Sequence, residues 1–244
     1  MSLNSSMTVR EVATVLPHST RVFEKLKIDY CCGGNQPLDE ACAKAGLNVE
    51  EVIQLLSQAE STDVGSEAST SQSLALAELA DYIVSKHHVF TRNELQRLTQ
   101  LLTKVCSVHG ANHPELFQIQ SEFQKLDADL CPHMLKEENI LFPYIKRLEN
   151  AVVASGPAPF APFGTVRNPI AAMMREHDAA GEILTNIRRL SGDFALPEGA
   201  CFSYSTLYNA LKELEADLHQ HIHLENNILF PRAAEMENQL QPAM

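Results

Sequence analysis

The chain has 244 residues, 45% of them hydrophobic and 20% charged, and a formal net charge of −12. This composition predicts a compact fold with a substantial core and excludes a disordered chain or a coiled rod. The acidic balance disfavours non-specific binding to nucleic acid or anionic lipid, because either partner would repel it before contact.

Four short helical segments are predicted within residues 1–60, together forming a small helical domain. "TVRE" gives Thr8 and Glu11 the spacing of a capping box, and a second helix is expected from Thr20 to Lys27, ahead of "CCGG". "PLDEACAKAG" reads as a helix opened by Pro37 and stopped at Gly46, and "NVEEVIQLLSQA" repeats the capping pattern with Asn48 and Glu51.

Six cysteines, Cys31, Cys32, Cys42, Cys106, Cys131 and Cys201, are too few and too irregular for a disulfide scaffold, and none lies in a CxxC pair. Adjacent Cys31 and Cys32 are poorly placed to bridge each other, since the small ring would strain the peptide. Gly33 and Gly34 permit a tight turn that would expose the thiols, and a helix beginning at Pro37 would favour thiolate. Two readings stay open for the pair: a redox or metal-transfer site, or two small side chains packed at a turn. The other four cysteines read as packing residues.

"ESTDVGSEASTSQS", from Glu60 to Ser73, has almost nothing to bury and predicts a flexible linker over residues 61–73. Beyond it, residues 74–244 carry four long helical stretches: Leu74 to Ser107, Pro114 to Leu148, Pro169 to Leu190 and Ser203 to Ala234. Leu74, Leu76, Leu79, Ile83 and Val84 in the first, and Leu207, Leu211, Leu214 and Leu218 in the last, recur at helical spacing. The predicted fold is all-α, an antiparallel four-helix bundle preceded by the small domain. No run of eighteen apolar residues and no basic start leading into an apolar stretch is present, so neither a membrane span nor a secretory signal is expected; the cytoplasm is the expected location.

Two stretches of the bundle are nearly the same: "HMLKEENILFP" from His133 and "HIHLENNILFP" from His221, 88 positions apart. In each, a histidine precedes a glutamate by four residues, which sets both side chains on one helix face. His88 lies 45 residues before His133, and His177 lies 44 before His221. The halves therefore match as helix with one histidine, loop, helix with His-x-x-x-Glu. An approximate two-fold axis through the bundle would gather four imidazoles and two carboxylates at one level.

Buried carboxylates without basic partners repel each other and take up protons, whereas a pair of cations neutralises them and accepts the imidazole nitrogens. His88, His133, His177 and His221 are the expected terminal ligands, and Glu137 and Glu225 the expected bridges. Iron suits this set, with an oxide or hydroxide completing the bridge between two ions. His87, about 100° from His88 on the helical wheel, is the competing residue, and the matched offsets favour His88. His219 and His223 are expected to face solvent or another helix, with a supporting role around the centre still open. His109 and His113 read as helix-end residues, and His18 as a surface or capping residue. "ILFP" after each glutamate reads as core packing and helix termination, with Phe142 and Phe230 placed to keep water from the site.

At "IDYCCGGNQPLDEAC", "SKHH", "CPHMLKEENILFP", "REHDAAGE" and "HIHLENNILFP", the chain resembles the iron-sulfur cluster repair di-iron (RIC) family, over roughly Thr8 to Ala233. The resemblance implies a hemerythrin-like bundle with a non-haem di-iron centre, and restoration of clusters damaged by nitric oxide or oxidants. Its ligand pattern falls on His88, His133, Glu137, His177, His221 and Glu225, while histidine stands at His87 in place of the family's usual tyrosine. It also favours a functional thiol pair at Cys31 and Cys32. The implied partners are damaged or apo iron–sulfur proteins; an electron donor and a homodimer are further candidates, nucleic acid and membrane are not. Reduction of nitric oxide or peroxide at the di-iron centre, or gas sensing, stays open as an alternative.

Overall fold

A computed structural model describes residues 3–60 and 73–240 of the chain. Nearly all of the expected linker lies outside the described residues.

The small N-terminal unit contains α1 (Val9–Val15), α2 (Ser19–Leu26), α3 (Leu38–Lys44) and α4 (Val49–Glu60). Local chemistry starts and stops them. At α1, the Thr8 hydroxyl accepts from the Glu11 amide and the Glu11 carboxylate accepts from the Thr8 amide, satisfying two amide donors at the helix entry. Asn48 accepts from the amides of Glu50 and Glu51 at the start of α4, and Gly46, at φ +72°, ends the turn after α3. Val9, Val12, Phe23, Tyr30, Leu38 and Leu56 form its core, which Ile222 of the bundle joins. That shared residue ties the small unit to the bundle.

Three of the four bundle helices are longer than the sequence suggests. Helix α5 covers residues 76–109, α6 residues 115–153, α7 Arg167–Leu190 and α8 residues 202–240. In α5, α6 and α8 a short π-helical segment interrupts the α-helix, at Val84–His88, Glu137–Leu141 and Leu224–Leu229 respectively. The expected termination at "ILFP" is therefore corrected: the helices run on through Pro143 and Pro231. Proline lacks the N–H that an uninterrupted α-helix needs, but here each proline sits in the first turn of the α-helix that follows the π segment, where that N–H is dispensable.

Helix α7 packs along α6, and α8 along α5, giving an all-helical antiparallel bundle; among the described residues there is no β-strand. Its apolar interior falls into two clusters. One is built on Leu98, Leu102, Phe123, Leu184, Leu207 and Leu214, the other on Leu79, Ile83, Ile145, Met173, Leu229 and Phe230. The polar residues of interest lie between these clusters, shielded on both sides.

Candidate metal centre

The π segment of α5 ends at His88, α6 supplies His133 and Glu137, α7 supplies His177, and α8 supplies His221 and Glu225. All six are buried. They form two overlapping groups, His88 with Glu137, His221 and Glu225, and His133 with Glu137, His177 and Glu225, whose ligand atoms lie within 4.8 Å of one another. The two carboxylates belong to both groups. Exchanging the halves of the bundle converts one group into the other, which is the consequence of the internal repeat. Three of the six residues lie in π segments, whose widened turn re-aims side chains and recurs at functional sites.

The chemistry of these atoms fits a pair of cations. The Nε2 atoms of His88 and His221 are 3.2 Å apart, and those of His133 and His177 are 3.1 Å apart. Both oxygens of Glu137 and one of Glu225 are buried without a hydrogen bond, although the Nε2 atoms of His133 and His88 lie 3.3 and 3.4 Å from Glu137. Lone pairs thus converge with too few protons between them, a costly arrangement unless a positive charge sits there.

Electrostatics agrees. Burial alone would discourage charge on His133, but Glu137 and Glu225 overcome it and push the ring's pKa up to about 9. His88 is raised by the same competition, burial opposing and Glu137 and Glu225 prevailing. At His221 burial prevails and the pKa falls. Against burial, the imidazoles hold Glu137 below, and Glu225 well below, the usual carboxylate range.

A ring of contacts supports the cluster from outside. His88 Nδ1 meets Glu138 at 2.7 Å, and Arg92 donates to the same carboxylate at 2.6 Å. His133 Nδ1 meets Glu176 at 2.8 Å, with Lys136 donating to Glu176, and His177 Nδ1 meets Asn226 at 2.9 Å. Such partners fix the tautomer and orient the ring. Phe142 stacks on His88 and Phe230 on His177, with ring centroids 5.8 and 6.1 Å apart. His87 lies outside the cluster, buried, with Nδ1 3.0 Å from Asp217.

Glu138, Glu176 and Asn226 escape the sequence reading, although each is the immediate neighbour of a candidate ligand. All three already lie inside the stretches that carry the repeat, so their positions were in view; their partners lie on other helices and are not legible from spacing.

The small unit packs against this layer. Asn227 donates to the carbonyl of Tyr30 at 2.9 Å and accepts from Arg10 at 2.6 Å, and Asn226 donates to the carbonyl of Cys31 at 3.4 Å. His219 and His223 face the small unit instead of solvent: His219 meets Glu24 at 2.7 Å, and buried His223 packs edge-on against Tyr30. His18 sits at the start of α2, its ring 3.3 Å from the Leu56 carbonyl, and His109 and His113 occupy helix ends against Tyr204.

Cys31 and Cys32 are free thiols 3.8 Å apart. Asp29 organises their turn by accepting from the amides of Cys31, Cys32 and Gly33. The expected exposed thiolate is not found at Cys31. The side chain is buried, and its hydrogen bond to Cys32, burial and Asp29 all push its pKa up. Cys32 lines a cavity of about 750 Å³ between the small unit and α7, and its sulfur lies 3.6 Å from the His177 carbonyl. Cys42 and Cys106 are buried as expected, whereas Cys131 and Cys201 are exposed, so packing does not account for those two.

Two family matches cover most of the chain. The hemerythrin HHE cation binding domain matches residues 79–233, and a domain of unknown function, DUF542, matches residues 5–60. The probable iron-sulfur cluster repair protein of Haemophilus influenzae is 35% identical over 222 residues, covering 91% of this chain and 94% of its own length. The iron-sulfur cluster repair protein YtfE of Pectobacterium atrosepticum is 34% identical over 223 residues with the same coverage. That of Yersinia pestis is 36% identical over 222 residues, again with 91% and 94% covered.

Proposed function

Because the chain belongs to the iron-sulfur cluster repair proteins built on the hemerythrin HHE cation-binding domain, we propose that it restores damaged iron–sulfur clusters using iron held in this centre. The observation that carries the reading is the pair of overlapping His/Glu groups with orphaned carboxylate oxygens. His88 and His221 would hold one iron and His133 and His177 the other. Glu137 and Glu225, which belong to both groups, would serve the two ions together. When bound, iron supplies ions that can be released to a client protein. Four imidazoles against two carboxylates is a less anionic set than the carboxylate-rich ferritin-like sites, which suits holding iron for delivery rather than bulk storage.

The chain's own residues do the rest. Glu138, Glu176 and Asn226 orient three of the imidazoles, and Phe142 and Phe230 exclude water. Cys32, at the cavity wall with its sulfur 3.6 Å from the His177 carbonyl and Cys31 beside it, would take an ion on its way from the centre to the outside. The partners are iron–sulfur proteins with clusters lost to oxidative or nitrosative damage.

The test is recovery of activity in a purified iron–sulfur enzyme whose cluster has been damaged. Iron-loaded protein should restore it faster than the same amount of free iron. Equal recovery from the two sources would contradict the reading.

A further inference from the structure

The two-fold relation between the halves holds for the ligands but fails at one supporting position. Stepping 88 residues takes His133 to His221 and Glu138 to Asn226; stepping 89 takes His88 to His177 and His87 to Glu176. Glu138 and Asn226 do the same job, each accepting from the Nδ1 of its own half's ligand partner, His88 and His177 respectively. Glu176 accepts from His133, so the symmetric arrangement requires position 87 to accept from His221. It does not. The His87 ring lies stacked on His221, with centroids 5.7 Å apart and planes 13° from parallel, and gives His221 Nδ1 no hydrogen bond. Asp217 holds His87 Nδ1 at 3.0 Å, and Tyr82 packs edge-on against it. His221 Nδ1 is left as a buried polar atom without a partner, on a residue 1% exposed.

An imidazole that binds a cation through Nε2 carries its proton on Nδ1, and that N–H needs an acceptor both for its own satisfaction and to strengthen the ring as a donor. Resting on the two-cation reading above, we infer that the two positions are unequal: the one held by His88 and His221 binds its cation more weakly and empties first, and His87 is the positioning residue responsible. Loss of a supporting partner of this kind weakens metal affinity by roughly 10- to 100-fold. The chain would then give up one ion readily while the second keeps the bundle's polar layer neutralised.

The experiment is an anaerobic titration of the metal-stripped full chain with Fe(II), with Co(II) as a spectroscopic probe, and measurement of ion release to a chelator. Repulsion between the ions can separate two binding steps by itself, so variants decide. His87→Gln adds a neutral acceptor and should tighten the weaker step about tenfold or more while leaving the stronger one nearly unchanged. Glu176→Ala removes the support of His133 and should weaken the stronger step until the two release rates converge. It reports even if His87→Gln fails to fold. Two equal native sites, a weaker step unmoved by a folded His87→Gln, or a stronger step unmoved by Glu176→Ala would overturn this inference and leave the repair function standing. A native chain that binds neither ion would overturn both.

Discussion

At the scale of single residues, the imidazoles make cation binding depend on pH. In the metal-free chain the pKa of His133 is pushed up to about 9 by Glu137 and Glu225 against its burial, so its ring is protonated at neutral pH and a cation must displace that proton. Displacing one proton costs about tenfold in affinity per pH unit below that value. Cobalt affinity measured at pH 8 and pH 6 should therefore differ by roughly 100-fold or more, the weaker binding at the lower pH. The same shift stabilises the metal-free fold below the ordinary histidine pKa of 6.5, and this contribution is lost as the pH rises through about 9. The clustering of the six candidate residues was legible because a repeated His-x-x-x-Glu fixes one helix face twice. His87 and His88 were harder to separate, since adjacent residues differ only in direction around the helix. The structure brings His88 into the cluster and stacks His87 outside it.

At the scale of elements, the π segments explain why strong sequence signals gave the wrong helix ends. Proline after "ILF" is a stop signal in an α-helix, yet in α6 and α8 it follows a widened turn whose changed register makes room for it. Periodicity cannot reveal one extra residue in a turn, so the stop signal at "ILFP" stood unreconciled beside helical stretches predicted to run on to Leu148 and Ala234. The phenylalanines ahead of these prolines couple the turn to the centre. Phe230 is buried and stacked on His177. Replacing it with alanine should destabilise the protein by about 3–5 kcal/mol and admit water to the ring's face. Chemical denaturation of the metal-free variant checks the first effect. Faster cation release to a chelator, at a temperature where the variant remains folded, checks the second.

At the scale of the whole molecule, the second copy of the motif does more than the first. "NN" at Asn226 and Asn227 replaces the "EN" of Glu138 and Asn139, and both asparagines reach the backbone of the small unit. Asn226 meets His177 as well, so one side chain touches both the thiol-bearing turn and a candidate ligand. Helical content and the bundle were legible from apolar spacing over long stretches. The docking was not, because it depends on surfaces that meet only after folding; the reading of His219 and His223 as facing solvent or another helix could not say that the facing element was the small unit. Asn227→Ala leaves the Tyr30 carbonyl and Arg10 without this partner and should cost about 1–3 kcal/mol, seen as a lower thermal midpoint and faster proteolysis between the two units.

The central claim is that the two halves of the chain build one centre for two cations with shared carboxylates. Its most direct test is iron content per chain after anaerobic purification, compared between the native protein and the Glu137→Ala, Glu225→Ala double variant. The native chain should carry close to one ion for each of the two His/Glu groups, and the folded double variant close to none. A native chain without metal, or a double variant that keeps both ions, would contradict it.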